Sequence, residues 1–202
     1  MRIRLATADD VDAVARLHAD SWRRHYRGAD LNIYLDWDVV TDRIAVWTER
    51  LAQPCADTST LVVDEDGALV GFAHTIYDDD PTWGALLDNL HVRHDVKRRG
   101  VGRWLLRETA LALADRRPAS GLYLFVLEQN TPAQAFYASC GGRCVQRRMG
   151  GPFPGGGTAP SLRYAWPDLG PLVRGTFPPP AAGDPGRITQ ARGSRRRPRR
   201  ST

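Results

Sequence analysis

The hydrophobic positions along the chain change period several times, and each change marks an element. Arg2 to Ala6 reads as a first strand. Val11, Val14, Ala15, Leu17 and His18 then recur at helical spacing behind Thr7-Ala8-Asp9-Asp10, a run of side chains suited to capping a helix. Leu61-Val62-Val63, Asp66-Gly67 and Leu69-Val70-Gly71-Phe72-Ala73 predict two strands joined by a tight turn. Leu86 to Val92 predicts another strand. Glycines 100 and 102 follow it, and then a helix to about Arg117 with Val101, Leu105, Leu106, Ala112 and Leu113 on one stripe. Leu122 to Leu127 is mostly apolar and predicts a central strand buried on both faces. Asn130 or Thr131 caps the next helix, Pro132 suits its first turn, and Gly141-Gly142 ends it. Arg163 to Trp166 predicts a late strand. Elements in this order imply an α/β sandwich around a mixed sheet.

Composition narrows the class. A chain of 202 residues with 42% hydrophobic content suits one domain with a sizeable core. Charges interrupt every apolar run well short of the roughly 20 residues that a membrane span needs. No apolar leader stands between Met1 and Asp9-Asp10, so no secretory signal is expected. Cys55, Cys140 and Cys144 lack paired metal-ligand spacing and read as incidental thiols of a reducing compartment. The expectation is a cytoplasmic protein without a metal. The net charge of +5 is unevenly placed: residues 171–202 hold eight arginines against Asp184 alone, which leaves the body slightly acidic. The chain therefore divides into a domain over residues 1–170 and a disordered Pro/Gly/Arg-rich basic tail over residues 171–202. A solvated tail is the plainer expectation, and weak attraction to a polyanion the more functional one.

Candidate chemistry lies after the Leu90-His91-Val92 strand, in Lys97-Arg98-Arg99-Gly100-Val101-Gly102-Arg103. A glycine-bearing turn that opens a helix aims several backbone N–H groups at one point, with the positive end of the helix dipole behind them. Such a nest suits a pyrophosphate, and Lys97, Arg98, Arg99 and Arg103 add formal charge. A strand, glycine turn and helix are shared by many phosphate binders, so a second element is needed for specificity.

That element is present, and with it the sequence resembles the GNAT superfamily of acetyl-CoA-dependent N-acetyltransferases. Lys97 to Gly102 matches the superfamily's Q/R-x-x-G-x-G/A motif. Asn130, Ala133, Phe136 and Tyr137 match its next strand-to-helix unit, and Ser21 to Gly28 its first-helix region. The likeness covers roughly residues 2–166. Lys97 and Arg98 depart from the usual Gln or Arg and the frequent glycine, and Leu86 stands where a glutamate is common. The resemblance implies the GNAT fold, a mixed but mostly antiparallel sheet with splayed strands, flanked by helices. It implies acetyl-CoA as co-substrate, held by Leu90, His91, Val92, Lys97 to Arg103, Asn130, Ala133 and Tyr137. Val92 N–H would face the developing oxyanion, and Tyr137 would protonate the departing thiolate. Phe136 would point into the core.

A lysine-like amine is neutral only about once in 10³ to 10⁴ molecules at pH 7, so a base or water relay is required. Strand alternation puts Asp88 on the face of Leu86 and Leu90 and makes it the first candidate; His91 would face the other side, with His74 and His25 as further options. Trp22, His25, Tyr26 and Trp83 are expected at the acceptor, with Tyr34, Trp37 and Asp78-Asp79-Asp80 nearby. The acceptor would be an amine on a small molecule, peptide or protein. An acyl-CoA-binding regulatory module without turnover is the alternative, and a homodimer is an assembly that the resemblance allows.

Overall fold

The computed structural model describes residues 1–25, 35–36, 39–53, 55–152 and 157–176. β1 (Arg2–Leu5) leads through a 3-10 turn (Ala8–Asp10) into α1 (Val11–His25) and α2 (Val39–Leu51). Then come β2 (Thr58–Glu65), β3 (Ala68–Asp80), β4 (Gly84–Val92), a 3-10 turn (His94–Val96), α3 (Val101–Arg116) and β5 (Leu122–Leu127). α4 (Thr131–Ser139), β6 (Arg143–Gly150), β7 (Ala159–Trp166) and α5 (Gly170–Arg174) complete the order. The start of α1 is fixed as its sequence suggests. Thr7 N–H donates to the Asp10 carboxylate at 2.7 Å, and Arg4 clamps that carboxylate from β1.

Seven strands form one sheet in the order β1-β2-β3-β4-β5-β7-β6. Every neighbouring pair is antiparallel except β4 with β5, so the sheet is mixed, as expected. Alternation divides its side chains between two layers. Val63, Ala73, Leu87, Leu122, Leu124 and Val126 enter a main core with Val101, Leu105, Leu106 and Leu113 of α3. On the opposite face Val62 and Phe72 meet Val14, Leu17 and Trp47 of α1 and α2, while Leu127 and Ala159 meet Ala19, Trp22 and Val39. No helix among the described residues is long and apolar enough to cross a membrane.

The folded body passes the boundary expected at residue 170. α5 packs against α3, Arg107 Nε donates to Val173 O at 3.2 Å, and Leu172 is fully buried in the main core. Three apolar side chains in a five-residue helix, Leu169 before it included, are too few to register as a periodic signal beside a Pro- and Arg-rich segment. Leu172→Ala is expected to cost about 3 kcal/mol and to lower the melting temperature by roughly 6–12 °C. A thermal melt reads this directly, and an unchanged midpoint would return the boundary to residue 170. Residues 177–202, the greater part of the expected tail, lie outside the described residues.

Candidate active site

β4 and β5 pair only through Ala85–Leu122 and Leu86–Tyr123. Beyond that point each strand belongs to its other neighbour. β4 continues on β3 as far as Val92, whereas β5 runs its whole length against β7. Two parallel strands pulled to opposite sides leave a wedge that widens toward their C-terminal ends. α3 begins after one of those ends and α4 after the other, so two helix N-termini face the mouth of the wedge.

The α3 end is built for close approach. Gly100 has φ +87° and caps the helix, with Trp104 N–H bonded to its carbonyl at 2.9 Å. A Cβ placed on Gly100 would meet nothing within 4 Å, so the space over this turn is open. Arg98 also lies in the left-handed region at φ +66°. A glycine is at ease there, and the arginine accepts a modest backbone cost. Arg99 is partly spoken for, since its guanidinium makes a bidentate pair with Glu65 at 2.7 and 2.9 Å. Lys97 is held below the ordinary lysine range, first by burial and then by the charge of Arg24.

The α4 end follows the expected cap: Asn130 Oδ1 accepts from Ala133 N–H at 3.3 Å, with Pro132 in the first turn. Tyr137 is 9% exposed and stacks edgewise on Phe136, with Tyr164 and Trp166 about its ring. Phe136 is only half-buried. It packs on the main core, and its ring edge would lie 3.4 Å from a Cβ on Gly102, so it joins α4 to the first turn of α3.

Around Asp88 the structure departs from simple alternation. His74 faces Asn89 across the sheet but Thr75 faces Leu87, which leaves Asp88 as the extra residue of a β-bulge. The bulge resets the parity of β4. Leu90 and Val92 therefore join Ala85 and Leu87 against the main core, and Asp88 does not share Leu90's face. His91 turns the other way, toward α1, on the side where Asp88 meets α2. The expectation that His91 and Asp88 oppose each other is thereby corrected.

The α1 face of β4 carries a continuous polar chain. Ser21 Oγ lies 2.7 Å from His91 Nδ1, and His91 Nε2 lies 3.2 Å from Asn89 Oδ1. Asn89 Nδ2 donates to Asp88 Oδ2 at 2.6 Å, and Arg50 of α2 donates to the same carboxylate oxygen at 2.8 Å. Behind this chain stand two more buried imidazoles. His18 Nδ1 accepts from Trp47 Nε1–H at 3.0 Å, and His74 Nδ1 lies 2.8 Å from Thr60 Oγ1. Burial is the main cause that drives all three histidines toward neutrality. His91 falls to about 3 and His74 to about 4, and His18, packed against His91 at 4.8 Å, is lowered as well.

The expected acceptor residues are dispersed. Trp22 is buried in the second core layer with Arg43 stacked 4.5 Å over its ring, whereas Trp83 is half-buried near Arg163. His25 ends α1, where its carbonyl accepts from Gln129, and burial is the first cause that lowers its imidazole. Tyr26, Tyr34 and Trp37 lie outside the described residues. The acids at 78–80 are neither loop nor free: Asp78 pairs with Arg117, Asp79 accepts from the Tyr123 hydroxyl, and Asp80 pairs with Arg163. Sequence patterning missed Ser21 and Arg163, whose partners His91 and Asp80 lie 70 and 83 positions away, and Asn89, whose place depends on the β-bulge.

The comparisons with known proteins turn on the same segment. The family model described as acetyltransferase (GNAT) family matches residues 11–141, well over half of the chain. The chain belongs to this family. The GNAT assignment makes it an acyltransferase of the N-acetyltransfer type. An uncharacterised N-acetyltransferase of Bacillus subtilis, YuaI, is 28% identical over 137 residues, covering 67% of this chain and 76% of that protein. Among solved structures, an acetyltransferase from Thermus thermophilus aligns with TM-score 0.60 at 22% identity, over 82% of this chain and 97% of that one. The PaiA N-acetyltransferase of Thermoplasma acidophilum, solved in complex with coenzyme A, aligns with TM-score 0.60 at 17% identity, over 82% and 100%. At these identities the structural likeness shows the shared GNAT fold.

Proposed function

We propose that the protein transfers an acetyl group from acetyl-CoA to a primary amine by direct attack of the amine on the thioester. The strongest support is the parting of β4 and β5 just where both following helices present their N-termini. The fit to the co-substrate rests on the open space over Gly100 and on the free lateral edge that β4 offers from Leu87 to Val92. A coenzyme A complex of a fold relative supports the same choice of ligand.

Acetyl-CoA brings an activated acyl group and a thiolate leaving group. The chain's own residues hold and orient it. Amides of residues 98–103 face its diphosphate, with Lys97, Arg98 and Arg103 adding charge and Arg99 shared with Glu65. Backbone groups of Leu90 and Val92 align the pantetheine arm, since those of His91 and Arg93 face β3, and Val92 N–H stabilises negative charge growing on the carbonyl oxygen. Asn130 shapes the start of α4, and Ala133 keeps that helix face low. Tyr137 Oη supplies the proton that the departing sulfur needs.

Asp88 takes a proton from the acceptor's ammonium, leaving the neutral amine whose lone pair attacks the thioester carbonyl. Its bonds to Arg50 and Asn89 fix its position at the bulge. Tyr137→Phe tests the assignment. Thiol release is expected to fall about 10²-fold while acetyl-CoA affinity stays within about three-fold. Unchanged turnover would remove Tyr137 from the proposal, and binding without turnover on any amine would leave a regulatory module instead.

A further inference from the structure

We infer that the acceptor amine carries a carboxylate, and that Arg148 and Arg163 receive it beside β5. This rests on the acetyl transfer proposed above. Leu122, Leu124 and Val126 enter the main core, so Tyr123 and Phe125 point to the opposite face, the one α1 shares. Arg163 is the direct partner of Phe125 across the sheet, and its neighbours Leu162 and Tyr164 are the ones in the main core. Its guanidinium therefore lies among the rings of Phe125, Tyr123 and Trp83, at 4.9, 4.7 and 5.4 Å from their centroids. Arg148 comes from edge strand β6 and reaches back across β7. Its guanidinium sits 3.4 Å from the centre of the Phe125 ring.

Two guanidiniums thus meet over one aromatic ring, and their hydrogen-bonding capacity is incompletely used. Arg163 Nη1 donates to Asp80 at 3.1 Å, but that carboxylate also accepts from Thr82 N–H and Trp83 N–H. Arg163 Nε is buried and has no acceptor among the described residues. Arg148 is exposed and makes neither a hydrogen bond nor an ion pair among them. Asp79 accepts from the Tyr123 hydroxyl and Asp78 pairs with Arg117, so their bonds go to other partners and leave the N–H edge of Arg148 open. A guanidinium stacked on a ring keeps its N–H edge open in the ring-parallel plane, and that edge matches a carboxylate.

The position suits an acceptor. Tyr123 is the last β5 residue paired with β4, and Phe125 stands two residues inside the wedge. The other face is closed by the main core under α3 and α4. A carboxylate at Arg148 and Arg163 would direct the amine of the same molecule toward the inner end of the wedge, on whose far side β4 carries Asp88 and Asn89. An amino acid or a like small molecule suits this placement of guanidiniums beside the wedge, whereas a polyamine would place a cation against two cations.

Matched acceptors test it. Free-thiol release from acetyl-CoA should show kcat/KM at least about ten-fold higher for the preferred amino acid than for its carboxamide. Arg148→Gln should erase that difference and leave CoA affinity unaltered, and Arg148→Lys should restore part of it. Arg148 is the variant of choice because it is exposed, whereas Arg163 is built into the sheet. Calorimetric titration of N-acetyl amino acids against N-acetyl amino amides, with CoA present, reads the same preference without turnover. Equal use of acid and carboxamide, or equal binding of the two products, overturns the inference while leaving acetyl transfer intact. Loss of CoA binding itself would instead overturn the function proposed above, and this inference with it.

Discussion

Gly100→Val is expected to weaken acetyl-CoA binding at least about 100-fold while the protein stays folded. The two effects separate because of the geometry at this turn. A Cβ at Gly100 meets no protein atom within 4 Å, so nothing in the core is displaced. The backbone cost of a β-branched residue at φ +87° is about 1–3 kcal/mol, a fraction of ordinary domain stability. The ligand loses more, since the added methyls stand where the diphosphate would approach the amides that open α3. Calorimetry with acetyl-CoA and a urea titration on the same sample give both numbers. Retained affinity in a folded variant would place the diphosphate elsewhere.

A second large effect is expected in acid. His18, His74 and His91 all have imidazoles that burial lowers from the ordinary 6.5, His74 to about 4 and His91 to about 3. Below pH 6.5 the unfolded chain binds protons at these sites while the folded chain refuses them. Stability is therefore fully present above the unfolded value and is lost as pH falls toward the folded values. Each imidazole that stays neutral contributes about 1.4 kcal/mol per pH unit, so His74 and His91 together give nearly 3 around pH 5, and His18 acts in the same direction. Urea midpoints over this range should drop steeply, well before the clamped carboxylate Asp10, itself lowered chiefly by Arg4, begins to protonate. A flat profile down to pH 5 would mean that the imidazoles are charged or solvated in the native state. The same cluster lies directly behind Asn89 and Asp88, so acid inactivation would begin at the wall of the proposed site.

How much of this was readable in advance differs from element to element. α3 was plain because its apolar positions keep a helical period, and β5 because it is a short apolar run from end to end. α2 was hidden, since its inward stripe of Val39, Arg43 and Trp47 includes a charged residue that stacks on Trp22 and pairs with Asp42. β6 was hidden for the opposite reason: it is a largely exposed edge whose residues owe the interior little. For the site, short-range pattern was enough to place Gly100 and Gly102 before a helix and Asn130 at the cap of the next, because turns and caps are set by a few adjacent residues.

Local sequence thus determined the elements on either side of the site, the two helix starts and the glycine turn that opens α3, all of which depend on contacts a few positions apart. Tertiary structure alone decided that β4 and β5 part, that a bulge at Asp88 turns Leu90 away from it, and that Arg148 reaches Phe125 across an intervening strand. Those features arise when segments dozens of residues apart compete for the same hydrogen-bonding edges. Strand pairing and long-range burial settle that competition, and neither leaves a period in the chain.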